Sequence, residues 1–223
     1  MPIINLVYEE PKLPFTPWVN TLAYYPLTST STVNDRSGNN NNLTQSWTVT
    51  FWVNWWVNCG YFDWWYLILN SSLITWANPR TVSCWFYRIN AISEWWAFWG
   101  MWTPSSQQWY TTYVSWTSPT GRIGHWNRQS DVFSTIPCPI NWWNLLVVTF
   151  NWTTVKVYLD NVQILSTNLT LNLTSWNTTI CQMPSLAVNA WKWYMSEFIF
   201  ENIERDATKR TDYYNSTKTI YGL

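Results

Sequence analysis

The stretch from residue 144 to residue 160 reads Asn144-Leu-Leu-Val-Val-Thr-Phe-Asn-Trp-Thr-Thr-Val-Lys-Val-Tyr-Leu-Asp160. It contains two apolar runs, rich in β-branched residues, on either side of Asn151-Trp152-Thr153-Thr154. Such runs bounded by Asn, Ser and Thr are typical of strands, and a short turn between two of them makes a β-hairpin. The stretch therefore predicts antiparallel β structure.

The same pattern continues on both sides of this hairpin. Residues 206–218 alone read as a helix, because Asp206 is a good N-cap and Ala207, Thr211 and Tyr214 fall roughly on one face. Residues 1–20 read as an extended, proline-punctuated lead-in, and residues 21–223 as one β-sandwich domain, a class that often exceeds 200 residues. Strands are predicted at residues 22–27, 59–62, 66–69, 81–89, 95–101, 110–115, 122–126, 144–150, 154–159, 162–166 and 193–201.

The composition excludes several classes of protein. Hydrophobic residues make up 47% of the chain and charged residues 11%, which permits a large core. The net charge is zero, so the basic surface of a nucleic-acid-binding protein is absent. No apolar run reaches the roughly 18 residues of a membrane span, so membrane insertion is not expected. The first 17 residues lack the basic and apolar regions of a signal peptide.

Four cysteines have two interpretations. Cys59, Cys84, Cys138 and Cys181 form an even count, which permits two disulfides in three connectivities. No pair has the CxxC spacing of a zinc site. The alternative is that all four are small buried apolar side chains.

Tryptophan and glycine occur in unusual numbers. The chain has 22 tryptophans and 6 glycines, although average glycine usage of about 7% would give roughly 16. Several tryptophans stand at predicted tight-turn positions where glycine is favoured, as in Asn54-Trp55-Trp56, Asp63-Trp64-Trp65 and Asn151-Trp152. Asn-Gly is the strongest short hairpin signal, whereas Asn-Trp has no conformational advantage there.

We interpret many of these tryptophans as UGA codons that the source organism reads as glycine, as some uncultivated bacteria and their phages do. The alternative is a Trp-rich lectin whose indole rings stack on sugars. The tryptophans interpreted as glycine are Trp47, Trp52, Trp55, Trp56, Trp64, Trp65, Trp76, Trp102, Trp109, Trp116, Trp142, Trp152, Trp176 and Trp191.

Seven motifs in order, from about residue 21 to the C-terminus, resemble the concanavalin A-like lectin/glucanase superfamily, and within it the laminin-G-like jelly rolls of bacterial and phage surface proteins. Trp64 stands where the family has the glycine of an F-D-G turn, and Asn161 where it has the glycine of Y-L-D-G. The motifs are Leu22-Ala-Tyr-Tyr-Pro-Leu27, Asp35-Arg-Ser-Gly38, Gly60-Tyr-Phe-Asp63, Thr81-Val-Ser-Cys-Trp-Phe86, Trp143-Asn-Leu-Leu-Val-Val-Thr149, Val155-Lys-Val-Tyr-Leu-Asp160, and Ser196-Glu197 with Tyr213-Tyr-Asn215.

The resemblance implies an all-β, two-sheet antiparallel jelly-roll sandwich with one short C-terminal helix, in which Trp85 and Trp143 are buried. The function it implies is a non-catalytic carbohydrate-binding or adhesive module outside the cell, on a cell surface or in a virion. Its partner would be a glycan or surface polymer. The alternatives are a structural subunit of a phage virion or cell-surface appendage, which binds neighbouring subunits, and a glycan hydrolase.

The sequence lacks the pattern of carboxylates that the hydrolase alternative requires. Hydrolases of this superfamily carry an E-x-D-x-x-E-type strand that places an acid and a nucleophile about 5 Å apart. Glu197 and Glu201 share strand parity and Glu204 follows, but no carboxylate lies between the first two. His125 is the single histidine, and no serine-nucleophile motif accompanies it. We therefore expect no enzyme activity, and a surface or packing role for His125.

Calcium is the one metal that the resemblance implies. Oxygen ligands on loops suit this ion, and Asp35, Asn39 and Glu197 are its candidate ligands because the opening loop and the closing strand of the family can lie close together. The alternative is that Asp35 accepts hydrogen bonds from the backbone of its own loop.

Overall fold

A computed structural model of the chain describes residues 15–28, 33–45, 49–54, 57–62, 66–69, 73, 77–89, 96–102, 109–115, 121–126, 131–171, 173, 177–181 and 193–223. Helix α1 spans Ala207–Thr217, and a 3-10 helix at Lys218–Tyr221 follows it. The strands are β1 Thr21–Tyr25, β2 Thr44–Gln45, β3 Thr50–Asn54, β4 Val57–Phe62, β5 Leu67–Leu69, β6 Arg80–Arg88, β7 Trp96–Trp102, β8 Trp109–Val114, β9 Arg122–Trp126, β10 Asp131–Pro137, β11 Trp143–Phe150, β12 Thr154–Leu159, β13 Val162–Asn168, β14 Thr178–Ile180 and β15 Trp193–Glu201.

The strands form two antiparallel sheets. The first, sheet A, has the order β13-β12-β11-β6-β15-β4-β3, and β1 also pairs with the end of β15. The second, sheet B, has the order β10-β9-β8-β7-β14-β5-β2. The predicted jelly-roll sandwich with one short C-terminal helix is confirmed. All eleven predicted strands are present, and the structure adds β2, β3, β10 and β14.

The core lies between the two sheets. Alternate residues of β6 and β11 point into it, among them Val82, Phe86, Leu146 and Val148. The two strands pair antiparallel from Trp143↔Tyr87 to Phe150↔Arg80, and their alternate residues contribute to one shared core, as predicted.

The opposite face of sheet A is also buried, because α1 and the 3-10 helix cover it. Trp85 is fully buried there and stacks on Tyr221, with ring centroids 4.1 Å apart, and Trp143 packs against the same ring at 5.1 Å. Asp206 caps the helix by accepting a 2.8 Å hydrogen bond from the backbone N–H of Lys209. The predicted burial of Trp85 and Trp143 is confirmed.

The two hairpins of the opening stretch use different turn residues. Asp160 and Asn161 connect β12 to β13 with φ values of 49° and 66°, the left-handed conformation that a two-residue hairpin turn requires. Between β11 and β12, Trp152 has φ 84°, and its side chain is 57% exposed. A tryptophan with this backbone conformation is strained, because its Cβ approaches the backbone closely.

The other tryptophans interpreted as glycine behave differently. Trp142 is 64% exposed just before β11. Trp52, Trp102 and Trp109 lie within β3, β7 and β8 and not in turns, so turn geometry does not support the glycine interpretation at these three positions. The remaining nine, Trp47, Trp55, Trp56, Trp64, Trp65, Trp76, Trp116, Trp176 and Trp191, lie outside the described residues.

The structure supports the interpretation of the four cysteines as small buried apolar side chains without disulfides. Cys59, Cys84, Cys138 and Cys181 are all buried and carry free thiols. Burial raises the pKa of the Cys59 and Cys138 thiols to about 12, so both are neutral. They act as small apolar side chains.

Candidate functional site

A surface pocket of about 260 Å³ lies where the segment before β1, the end of β15 and helix α1 meet. Residues from the lead-in, from the strand and from the helix therefore contribute to one concave site. Its lining residues are Phe15, Trp18, Glu201, Arg205, Lys209, Asp212 and Tyr213.

The floor of the pocket is a buried ion pair. Arg205 Nη2 lies 2.7 Å from Glu201 Oε2, and Arg205 Nε donates to the same oxygen at 2.9 Å. The other oxygen of Glu201 accepts a 2.5 Å hydrogen bond from the indole N–H of Trp18. The backbone N–H of Arg205 donates to Thr81 Oγ1, which ties the segment after β15 to β6. These bonds hold both charged groups in fixed positions.

Three aromatic rings form the walls. The Arg205 guanidinium lies beside both Tyr213, 4.9 Å from its ring centroid, and Phe15, 5.9 Å from its ring centroid. Phe15 packs edge-on against Tyr213, with centroids 5.7 Å apart. Trp18 is half-buried on the other side, with the Lys209 ammonium 3.8 Å from its ring centroid. The pocket thus offers apolar ring surface next to charged groups.

Beneath the pocket lies the buried carboxylate of Glu197. Its oxygens accept hydrogen bonds from the phenols of Tyr213, at 2.7 Å, and Tyr24, at 2.9 Å. Burial raises the pKa of Glu197 to about 7, and the two phenols and the nearby Arg205 charge lower it in part. Glu197 has φ 52°, at a break in the β15–β6 register, so this carboxylate occupies a strained backbone position.

The structure places the three candidate calcium ligands in different environments. Asp35 Oδ1 accepts from the backbone N–H groups of Tyr24 and Ser37, and Oδ2 accepts from Ser37 Oγ and the N–H of Asn41. Asp35 therefore organises its own loop through hydrogen bonds.

The other two candidate ligands contact different groups. The side-chain amide of Asn39 donates to the carbonyls of Thr21 and Leu22, and Glu197 faces two phenols. Among the described residues no cluster of three or more His, Cys, Asp or Glu is arranged to hold a metal. Each of the three residues thus has hydrogen-bond partners of its own, and a calcium ion held by Asp35, Asn39 and Glu197 stays a prediction.

The carboxylates considered for catalysis all have structural partners. Glu197 bonds to two phenols, Glu201 bonds to Trp18 and Arg205, and Glu204 pairs with Lys156 at 3.2 Å on the surface. His125 is fully buried in sheet B, where its Nδ1 lies 3.1 Å from Thr112 Oγ1. Burial lowers the pKa of His125 to about 3, so it is neutral, and its predicted packing role is confirmed.

Sequence reasoning missed most of the pocket. Glu201 was singled out, but as a catalytic candidate, and Trp18, Arg205 and Lys209 were not singled out at all. Trp18 precedes the first predicted strand, and Arg205 and Lys209 flank the start of the helix. No local motif joins positions that lie more than 180 residues apart. The one available signal was the presence of an aromatic residue, Trp18, in the proline-punctuated lead-in.

Comparison with solved structures places the chain among jelly-roll β-sandwiches. The binding domain of Paraclostridial Mosquitocidal Protein 1 has a TM-score of 0.71 at 12% identity and covers 88% of this chain. Domain 4 of a GH43 extracellular arabinanase from Geobacillus stearothermophilus, in complex with arabinotriose, has a TM-score of 0.67 at 14% identity. A structure described by the dependence of botulinum neurotoxin type C cell entry on two ganglioside molecules has a TM-score of 0.67 at 12% identity.

The extent of these matches differs. This chain spans 51–52% of the neurotoxin and mosquitocidal chains, but 98% of the arabinanase domain, which covers 87% of this chain. At these identities the comparisons show the fold alone. No family model matches the sequence, and the comparison with curated proteins gives no match. Within the described part of the chain, no helix has the length and apolar character to cross a membrane.

Proposed function

We propose that the chain is a non-catalytic, laminin-G-like module that acts outside the cell and binds glycans or a similar surface polymer in the pocket between Trp18, Arg205 and Tyr213. The observation that carries this proposal is the pocket itself, where aromatic rings lie beside charged groups. A sugar has an apolar C–H face and a polar rim of hydroxyls, so it fits a site that combines ring surface with a few fixed polar groups.

The comparisons support the proposal at the level of fold. The arabinanase domain is in complex with arabinotriose, and the neurotoxin structure concerns gangliosides. The same sandwich therefore serves proteins that interact with saccharides, although fold alone does not determine ligand. The engagement of Glu197, Glu201 and Glu204 in structural bonds supports a binding role over a hydrolytic one.

The test is a glycan-array measurement with the full chain and two tryptophan variants. Trp18→Phe keeps an aromatic ring but removes ring area and the N–H bond to Glu201. Trp142→Phe alters an exposed ring that does not line the pocket and is the matched control. We expect glycan binding that Trp18→Phe weakens and Trp142→Phe leaves unchanged. Loss of binding in the Trp142 variant alone would move the site to the exposed tryptophans and favour the Trp-rich lectin.

A structural subunit of a virion or appendage is the alternative function. In that case the lead-in would bind a neighbouring subunit. Phe15 and Trp18 pack instead on their own chain, against Tyr213 and Glu201, which favours the binding module. Analytical ultracentrifugation separates the two functions, because a building block self-associates in a concentration-dependent way whereas a monomeric binding module does not.

We also infer that some tryptophans stand for glycine in the native protein. Trp152 supports this inference, since φ 84° is glycine geometry at a hairpin turn and its ring is exposed. Trp142, whose ring is also exposed, is compatible with it. The inference matters for function because exposed rings at these positions would then be absent from the natural surface, and Trp18 would remain.

A further inference from the structure

We propose that the pocket selects a saccharide whose bound ring carries no charge, and that hydroxyls of this ring bridge Lys209 and Asp212 of helix α1. The inference rests on the proposed glycan-binding function and adds the class of glycan. It starts from the charged residues that line the pocket, two acidic and two basic, whose formal charges cancel.

The two charges at the floor of the pocket compensate each other and are withdrawn from water. Arg205 is 3% exposed and Glu201 is fully buried, and Arg205 Nη2 lies 2.7 Å from Glu201 Oε2. The other oxygen of Glu201 accepts a hydrogen bond from the indole N–H of Trp18. A charged ligand at this floor would therefore lose its hydration without meeting an uncompensated opposite charge.

The two charges at the rim have opposite signs and lie on one side of α1. Lys209 and Asp212 are exposed and three positions apart, the spacing at which helical side chains are neighbours. Neither forms an ion pair within the described part of the chain, and the Lys209 ammonium lies 3.8 Å from the Trp18 ring centroid. One strong donor and one strong acceptor thus stand beside an aromatic wall.

A hydroxyl fits this pair of groups better than an ion does. It can donate to the Asp212 carboxylate and accept from the Lys209 ammonium, and two adjacent hydroxyls can divide these roles. A carboxylate or sulfate on the ring is attracted by Lys209 but repelled by Asp212, so the cost of removing it from water is not offset. A cationic ring meets the reverse pair of forces. The charges of the pocket therefore favour an uncharged ring.

The Lys209 ammonium has to move for a sugar to reach the indole of Trp18. A cation–π contact at an exposed site is weak, and the lysine side chain has a flexible stem. The ammonium can therefore turn from the indole to a ligand hydroxyl at small cost. The apolar C–H face of the sugar then takes its place against the ring.

The first experiment is a glycan array that presents each glycan with and without charge on its rings. Galacturonan oligosaccharides stand beside their methyl esters, and sulfated galactan oligosaccharides stand beside the unsulfated parent. The members of a pair share their linkages and differ in charge. We expect the neutral member of each bound pair to retain at least about three times as much of the full chain as the charged member.

The second experiment is calorimetric titration of the pair that binds most tightly, which gives the ratio of neutral to acidic affinity. Asp212→Ala leaves the pocket with a net positive charge, so the ratio should fall about threefold, and Lys209→Ala leaves a net negative charge, so the ratio should rise. Glu204→Ala is the matched control, because Glu204 pairs with Lys156 and does not line the pocket. It should leave the ratio unchanged, and circular dichroism establishes that each variant is folded.

Equal or tighter binding of the acidic members would overturn this inference. A ratio that neither Asp212→Ala nor Lys209→Ala changes would also overturn it. In both cases binding that Trp18→Phe weakens leaves the proposed function standing. Absence of binding to every glycan on the array would overturn both.

Discussion

The carboxylate of Glu197 accepts a 2.7 Å hydrogen bond from the phenol of Tyr213. Glu197 belongs to β15 and Tyr213 to α1, so this bond fastens the helix to the outer face of sheet A. The second carboxylate oxygen accepts a 2.9 Å hydrogen bond from the phenol of Tyr24 in β1. One buried acid thus joins three elements directly beneath the pocket that Tyr213 helps to line.

Stability should fall as the pH rises from about 4.5 to about 7 because of Glu197. Burial raises the pKa of the folded-state carboxyl to about 7 from its usual 4.5, so the folded protein holds a proton that the unfolded chain has released. The stabilisation is complete below the unfolded pKa and is lost as the pH passes the folded pKa. We expect the loss to be on the order of 3 kcal/mol.

Glu197→Gln tests this pH dependence, since the amide keeps the shape without the charge. Urea unfolding at pH 5 and pH 8 should give a smaller difference for the variant than for the wild type. Glu204→Gln, at a surface ion pair with Lys156, should retain the wild-type difference. Equal pH dependence in the Glu197 variant and the wild type would show that Glu197 does not cause it.

Asp35 should stabilise the loop after β1 whether or not an ion is present. Its two oxygens accept four hydrogen bonds, so Asp35→Asn replaces one acceptor with a donor that faces other donors. We expect a loss of about 1–3 kcal/mol in the free energy of unfolding. Arg36→Gln, at the exposed neighbouring position, should change it by less than about 0.5 kcal/mol.

Thermal unfolding of the wild type and of Asp35→Asn, with and without chelator, tests the predicted calcium ion at Asp35. An ion that binds only the folded protein raises the unfolding midpoint. We therefore expect chelator to lower the midpoint of the wild type and to leave Asp35→Asn unchanged. A wild-type midpoint that chelator does not move would refute the ion and leave the hydrogen-bonding role of Asp35.

Replacing a buried and an exposed tryptophan by alanine should lower the free energy of unfolding by very different amounts. Trp85 is fully buried and stacks on Tyr221, so Trp85→Ala should cost about 3–5 kcal/mol. Trp142 is 64% exposed, so Trp142→Ala should cost less than about 0.5 kcal/mol. Denaturant unfolding of both variants checks the pair, and similar losses for the two would contradict the packing of α1 over sheet A.

Trp152→Gly should stabilise the protein despite the loss of a large side chain. The residue has φ 84°, which glycine adopts without strain, and the ring removed is mostly in solvent. We expect a gain of about 1 kcal/mol, of the size that a strained backbone position costs. Trp142→Gly is the control, because Trp142 does not have a positive φ. A destabilised Trp152 variant would argue against glycine geometry at this turn.

The native mass tests the recoding inference directly. Each exchange of tryptophan for glycine removes an indole, so fourteen exchanges lower the intact mass by well over a kilodalton. We expect the protein from its native source to be lighter than the printed sequence. A native mass that equals the printed sequence would end the inference and restore the Trp-rich lectin as the interpretation.

The sequence by itself determined the local structure. Short apolar or alternating runs predict strands such as β6, β11, β12 and β15. A strand buried on one face needs an apolar side chain at every second position, and a strand buried on both faces, such as β11, accommodates a continuous apolar run. Asp206 marks the start of the helix, since its side chain caps a free backbone N–H. Motif resemblance predicts the burial of Trp85 and Trp143.

Four strands were not predicted, for reasons that are also local. β2 and β14 have two and three residues, too few to show a pattern, and β10 contains exposed Thr135 and Ile136 and ends at a proline. β2, β3 and β10 lie at sheet edges, where only one neighbour constrains the side chains. In addition, β2 pairs with β5, and β14 pairs with β5 and β7, strands that lie too far along the chain to fall in one short window of sequence.

Only the tertiary structure decided the pocket and the role of each acid. Trp18 contacts Glu201, 183 positions away, because β1 pairs with the end of β15 and brings the lead-in onto the helix-covered face. The same pairing carries Tyr24 to Glu197, whose buried carboxylate then holds a pKa of about 7. Strand periodicity is set by neighbours along the chain, whereas a pocket and a shifted pKa depend on which distant groups surround an atom and exclude water from it.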